Sequence, residues 1–254
     1  MTTPILFIHG MWSRAVTFDT LRAELAAAGI QSDAIDLPMH DIPPGAPAPT
    51  GIEMLTLADY ADAVTAAAAR FDRPPILCGH SMGGLVAQLA AVRLQSPGLI
   101  LLATAPSAAT PGTSPAAIRA MWTVTRRWGW WHSPTLLDPA GARAGVYNGV
   151  PEADTAESIR LLTWDSGRVL AQIAAPFLDR ARGAAVDYAR LTMPALVLVG
   201  SDDRMTTAGV SRRTARKLSG RVDYEELPGA PHWLFHDAVR GRVGERIARF
   251  VTTL

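Results

Sequence analysis

Short apolar runs alternate with helix-periodic stretches along most of the chain. Residues 4–9 (PILFIH) form a continuous apolar run, the pattern of a strand buried on both faces. Residues 14–28 place Phe18, Leu21 and Leu25 at helical spacing and stop at Gly29. A second strand is predicted at 31–37, followed by a proline-rich loop over 38–54. Residues 56–71 carry Leu57, Tyr60, Val64 and Phe71 on one helical face. The alternation continues with a strand at 75–79, a helix at 84–95 and a strand at 98–103. After a long irregular stretch it resumes with a strand at 194–200, a helix at 206–219, a strand at 222–227 and a helix at 234–252. In that last helix Val239, Val243, Ile247 and Val251 fall four apart. Apolar strands alternating with helices predict an α/β fold, a mostly parallel doubly wound sheet of about six strands flanked by helices. Ligands of such sheets bind beyond the carboxyl ends of the strands.

Residues 107–190 break the alternation. They hold Trp122, Trp128, Trp130, Trp131 and Trp164 among short helical patterns. An insertion of this length between two strands of one sheet reads as a helical cap or lid, not a separate domain. The expected division is a core of 1–106 and 191–254 with a cap of 107–190.

Composition narrows the function class. Hydrophobic residues make up 48% of the 254 and charged residues 19%, enough for a large core. The formal net charge of +1 argues against nucleic acid or an anionic membrane as partner. No apolar run approaches the length of a membrane span, and the N-terminus has no secretory pattern. The expectation is a cytoplasmic protein without stable membrane insertion. The single cysteine, Cys78, excludes an intramolecular disulfide and reads as a small core side chain.

The chemistry concentrates at residues 76–84, ILCGHSMGG. An apolar strand runs into Gly79, Ser81 stands between glycines, and a helix follows. Gly-His-Ser-Met-Gly has the G-x-S-x-G form in the context of a sharp strand-to-helix turn. A serine hydroxyl becomes a nucleophile only with a base, a group that orients the base, and donors for the oxyanion. His232, in LPGAPHWLF between the last strand and the last helix, is the favoured base. His9 and His80 lie inside glycine motifs, His132 in the cap and His236 in the helix. The orienting acid is expected after the strand at 194–200, where ALVLVGSDDR offers Asp202 and Asp203. The oxyanion donors are expected to be the N–H of Met82, after the serine, and that of Met11, in the FIHGMW turn after the first strand. Trp12 and Trp233, beside these residues, are the candidate substrate contacts.

The chain resembles the α/β-hydrolase superfamily in its lipase- and esterase-like branch with a helical cap. The resemblance is strongest in LFIHGMW, LCGHSMGGLVAQ, LVLVGSDDR and GAPHW, and absent from the cap. It implies a Ser81–His232–Asp203 triad, since the third position after the strand-ending glycine usually carries the acid in that family. It leaves Asp202 as a surface or loop-capping carboxylate. Two departures stand out. The family's first hairpin is missing, and DLPMHD places Met39 and Asp41 where glycines often stand.

The expected activity is hydrolysis of a carboxylic ester or thioester through an acyl-enzyme on Ser81, with a small-molecule acyl substrate and no cofactor. Carbon–carbon bond hydrolases, acyltransferases, cyclases and cofactor-free haloperoxidases share such a triad and remain alternatives. A non-catalytic receptor is less favoured, because receptors of this fold often lose a triad member. Hydroxynitrile lyase chemistry needs an active-site lysine, whereas Lys217, the sole lysine, is predicted on an outer helix. A metal cluster of Asp36, His40 and Asp41 is disfavoured, since loop residues at that spacing are mostly solvated. The cap tryptophans read equally well as a substrate wall or as packing against the sheet domain.

Overall fold

The computed structural model describes residues 3–254. In chain order the elements are β1 (Ile5–Ile8), α1 (Asp19–Ala27), β2 (Ser32–Ile35), α2 (Leu57–Ala68), β3 (Ile76–His80), α3 (Met82–Ala91) and β4 (Leu99–Leu102). Next come α4 (Pro115–Ala120), α5 (Trp122–Thr125), β5 (Pro134–Thr135), α6 (Pro139–Ala144), α7 (Glu152–Arg160), β6 (Asp165–Ser166) and α8 (Gly167–Ala174). The chain ends with β7 (Ala195–Gly200), α9 (Ala208–Lys217), β8 (Val222–Leu227) and α10 (Asp237–Thr252). The main sheet is six-stranded and parallel, in the order β2-β1-β3-β4-β7-β8. The chain steps from β1 to β2 on one side and returns to β3 on the other. The turns after β1 and β3 therefore diverge at a crevice, where this class of sheet binds ligands.

Alternate residues of each strand sort onto the two faces. Ile5, Phe7, Ile76, Cys78, Ile100 and Leu198 pack on one face with α1 and α10. Leu6, Ile8, Leu77, Leu99 and Val197 pack on the other with α2 and α3. Each fully buried side chain of this size contributes about 1.5–3 kcal/mol. Cys78 is fully buried, and burial pushes its thiol well above its usual pKa, so it acts here as core.

The helix boundaries differ from the sequence expectation at several places, among them α1, which starts at Asp19 and not at 14. Helix α3 starts at Met82, directly after Ser81, instead of at residue 84. Helix α10 starts at Asp237, not at 234. Trp233, Leu234, Phe235 and His236 are all buried, and consecutive positions cannot all face inward on a surface helix. The 38–54 loop is held at Met39, whose φ is +65°, the left-handed region that favours glycine.

The 107–190 segment builds no core of its own. Val124, Leu137, Ala142, Tyr147 and Leu170 join the cluster on the α1–α10 face, and Val169 and Ala184 join the other. A buried carboxylate ties the segment down. Asp165, on the antiparallel β5–β6 ribbon, is fully buried. Its Oδ1 accepts from the Tyr60 hydroxyl at 2.7 Å and from the Ser166 N–H at 2.7 Å. Its Oδ2 accepts from the Trp12 N–H at 3.2 Å and lies 3.2 Å from His40 Nε2 in an ion-pair contact. His40 Nδ1 faces the Pro38 carbonyl at 3.0 Å, so that nitrogen also carries a proton. Burial alone would push the His40 pKa down, but the adjacent Asp165 carboxylate outweighs it and the net direction is up. Burial alone would raise Asp165; the His40 charge and the Tyr60 and Ser166 donors bring it below its usual value. The two groups thus face each other as ions.

Two outcomes follow for stability. A Cβ on Gly83 would overlap the Ile8 and His9 carbonyls, whereas one on Gly241, inside α10, meets nothing. In urea unfolding, Gly83→Ala should lower stability by about 3 kcal/mol, and Gly241→Ala should raise it by about 0.5–1 kcal/mol. Similar effects at the two sites would contradict the packing described. The His40 contribution is fully present below its unfolded value of about 6.5 and is lost as pH rises through its raised folded value. The Asp165 contribution is present above its unfolded value of about 3.9 and is lost as pH falls through its lowered folded value. Asp165→Asn should therefore cost about 3–5 kcal/mol near pH 6, and the gap to wild type should narrow at pH 9. A gap independent of pH would show that the pair is not ionic.

Candidate active site

Ser81 sits between β3 and α3 with φ +53° and ψ −122°, a strained conformation for a residue with a side chain. Strain of this kind costs about 1–3 kcal/mol and persists only where the surroundings enforce it. Here the Ser81 N–H donates to the Leu102 carbonyl at 2.9 Å, and the Ser81 carbonyl accepts from Gly84 at 2.9 Å and Ala105 at 2.8 Å. A Cβ on Gly79 would overlap the Gly83 carbonyl, so the first turn of α3 closes onto β3 only without side chains there. The serine side chain is left at the carboxyl edge of the sheet, partly exposed.

His232 arrives on the loop after β8. Its Nδ1 lies 2.8 Å from Asp203 Oδ2, with both side chains buried. Asp203 follows β7, and its other oxygen, Oδ1, accepts from the Met205 and Thr206 N–H groups, each at 2.8 Å. Those donors occupy Oδ1 and leave Oδ2 for the imidazole. The Thr206 hydroxyl lies 2.7 Å from the Ala103 carbonyl, 3.1 Å from Asp203 Oδ2 and 3.2 Å from His232 Nδ1. It has one proton, and the shortest contact, to a carbonyl that can only accept, takes it. Asp202 lies outside this group: its side chain is exposed and accepts from the Ser201 hydroxyl at 2.9 Å.

Behind His232, the His80 ring contacts the carbonyl of residue 232 through Nε2 at 3.0 Å. A carbonyl accepts only, so Nε2 carries the proton. Burial, then the neighbouring His232, hold the His80 pKa well below its usual value, and the ring is a neutral strut. His9 is neutral for the same first reason: burial, then the His40 charge, pull its pKa down to about 3. Its Nε2 accepts from the Leu37 N–H at 3.0 Å, so its Nδ1 donates to the Gly10 carbonyl at 2.8 Å. That bond fixes the turn that carries Met11.

Met11 and Met82 line the same cavity as Ser81. Met82 opens α3, so its N–H is one of the four without an intrahelical acceptor. Trp12 follows Met11 with φ +57°; its own N–H is taken by Asp165, and its Nε1–H donates to the Thr135 hydroxyl at 3.1 Å. The arrangement puts Ser81 and Met11 at the junction of two spaces, a small one that His232, paired with the buried Asp203, also lines and a larger one that Met82 also lines. It has the parts for acyl transfer to and from a serine.

That space extends beneath the 107–190 segment as a cavity of about 570 Å³, lined mainly by apolar side chains such as Ile118, Met121, Leu170 and Ile173. Trp12 lines both this cavity and a smaller recess beside His232, and Trp233 lines only the smaller of the two. The tryptophans of the insertion do not line either space. Trp128 is 92% exposed, Trp122 is exposed, and Trp164 donates to the Ala46 carbonyl. The disfavoured metal cluster is dispersed: Asp36 accepts from the Ala15 N–H, Asp41 pairs with Arg14, and His40 pairs with Asp165. Sequence reading missed Thr206 and Asp165. Thr206 carried a weak signal, as a hydroxyl residue just after the candidate acids. Asp165 carried none, because Trp12, His40 and Tyr60, which it binds, are more than a hundred residues away.

Comparison with known proteins agrees with this architecture. The family described as Hydrolase_4, serine aminopeptidase S33, matches residues 2–238. Among solved structures, a monoacylglycerol lipase from Paleococcus ferrophilus is 21% identical with a TM-score of 0.73, covering 98% of this chain and 94% of that one. A methylesterase from Arabidopsis is 19% identical with a TM-score of 0.74, covering 99% and 100%. An esterase from Rhodococcus is 23% identical with a TM-score of 0.72, covering 100% and 91%. A comparison with curated proteins returns no match. Among the described residues no helix is long and apolar enough to cross a membrane. The parallel six-stranded sheet and the match over most of its length show that the chain belongs to the serine aminopeptidase S33 (Hydrolase_4) family, and that it is an α/β-hydrolase enzyme.

Proposed function

We propose that this enzyme cleaves carboxylic esters, thioesters included, through an acyl-enzyme on Ser81. The observation that carries the reading is the 2.8 Å contact between His232 Nδ1 and the buried Asp203, with His232 and Ser81 lining one recess. Asp203 holds the Nδ1–H tautomer and leaves Nε2 as a proton acceptor. Ser81 Oγ attacks the acyl carbon as its proton moves to Nε2. The N–H groups of Met11 and Met82 bind the oxyanion. The bond from the acyl carbon to the leaving oxygen (sulfur in a thioester) breaks, and that atom takes the proton from Nε2. Water then repeats the sequence on the acyl-enzyme and frees Ser81. Residues 1–106 and 191–254 act as the core, and residues 107–190 as a cap that keeps water from the acyl group.

The family description names an aminopeptidase, whose substrate presents a protonated amine. A buried cation needs an acidic partner, and no carboxylate is among the residues lining the large cavity. The apolar lining instead suits an uncharged acyl group, as in the lipase and esterases of similar fold.

Ser81→Ala and His232→Ala should each lower kcat by about 10⁴-fold or more while leaving the circular dichroism spectrum unchanged. Asp203→Asn should fall by about 10⁴-fold, as loss of the tautomer holder does elsewhere, and Asp202→Asn by less than about threefold. Steady-state hydrolysis of simple alkyl esters, followed by acid release, measures all four. A larger loss in Asp202→Asn than in Asp203→Asn would overturn the acid assignment, and Ser81-independent turnover would overturn the nucleophile.

A further inference from the structure

Two cavities meet at Ser81, and they are unequal. The larger holds about 570 Å³. The smaller holds about 40 Å³ and has His232 in its wall, while the larger does not. A single water needs about 10–15 Å³ on the same measure, so the small space takes only a few heavy atoms. The two ends of an ester are not equivalent at such a centre. The leaving oxygen must take a proton from His232, whereas the acyl substituent need not approach the imidazole. The leaving group therefore belongs in the small cavity and the acyl group in the large one.

We infer that the enzyme selects esters of bulky apolar acids with alcohols of about one or two carbons. This rests on the ester-hydrolase reading above. In the acylation step Ser81 Oγ bonds to the acyl carbon, the bond to the small alkoxy group breaks, and the alcohol leaves with the proton from His232.

The walls support the asymmetry. Trp12, which lines both cavities, is held at three points: its N–H by Asp165, its indole N–H by Thr135, and its carbonyl by the Thr163 N–H at 2.9 Å. Tyr147 packs edge-on against Trp233 at 4.9 Å, and Trp233 against Phe235 at 5.1 Å. Widening this side means moving braced aromatic rings. On the large side, the rim includes Gly112, Pro176 and the exposed Ile118, so a long acyl chain has an open end to extend through. Leu162 is an aliphatic part of the small wall. It separates the 40 Å³ space from an outer cleft of about 480 Å³ that it also lines.

Methyl decanoate and nonyl acetate test the inference. They are isomers with leaving alcohols of similar acidity, but they place the long chain on opposite sides of the carbonyl. By acid release, kcat/KM should favour methyl decanoate by about tenfold or more. Leu162→Ala opens the small space to the outer cleft and should shrink that ratio at least about threefold through a gain on nonyl acetate. Ser81-dependent hydrolysis of both esters with a smaller or reversed ratio in the wild type overturns the assignment of the cavities and leaves the hydrolase reading standing. A ratio unmoved by Leu162→Ala overturns it as well, since the wall would not be setting the limit. Absence of Ser81-dependent turnover on either ester removes the hydrolase reading and this inference together.

Discussion

The close crossing of β3 and α3 at Ser81 is the constraint on which the rest of the site depends. Parallel strands normally release the chain into a loop before a helix begins. Here the helix starts at the next residue, and Ser81 takes a positive φ to make the turn. Only glycine at 79 and 83 allows the first turn of α3 to lie against β3 and the end of β1. The strain is local, and the surrounding sheet enforces it through the carbonyl of Leu102 and the N–H of Ala105. The same turn exposes a hydroxyl and leaves the Met82 N–H without a helical partner. In the function proposed above, this one backbone conformation serves nucleophile and oxyanion together.

A second constraint links the insertion to that turn. Asp165 belongs to the inserted segment, yet it binds the N–H of Trp12, the residue after Met11. Its ion pair with His40 and its bond from Tyr60 anchor it to the core. The inserted segment and the turn that carries Met11 and Trp12 are therefore tied through one buried carboxylate. This coupling gives a physical reason for a buried ion pair in a site where an apolar pair would be easier to accommodate.

The sheet was legible because strands buried on both faces must be apolar throughout, and glycine marks the turn a larger residue would block. The serine and histidine candidates were legible because they stand at strand ends beside glycine or proline. Choosing between Asp202 and Asp203 needed a family resemblance, since adjacent residues point in different directions only once the turn is built. The Asp165 network left no trace in local pattern: Trp12, His40, Tyr60 and Asp165 become neighbours through folding alone. Of the two readings of the insertion's tryptophans, packing against the core holds for Trp130, and Trp164 bonds to the Ala46 carbonyl. The substrate wall is made instead by aliphatic residues from α4 and α8, and Trp128 faces solvent.

The central claim is that Ser81 is a nucleophile activated by His232. A fluorophosphonate reagent, followed by peptide mapping by mass spectrometry, measures this without choosing a substrate. The account predicts one adduct on Ser81 in the wild type, and its loss in His232→Ala. No adduct in the wild type, an adduct on another residue, or equal labelling of Ser81 without His232 would contradict it.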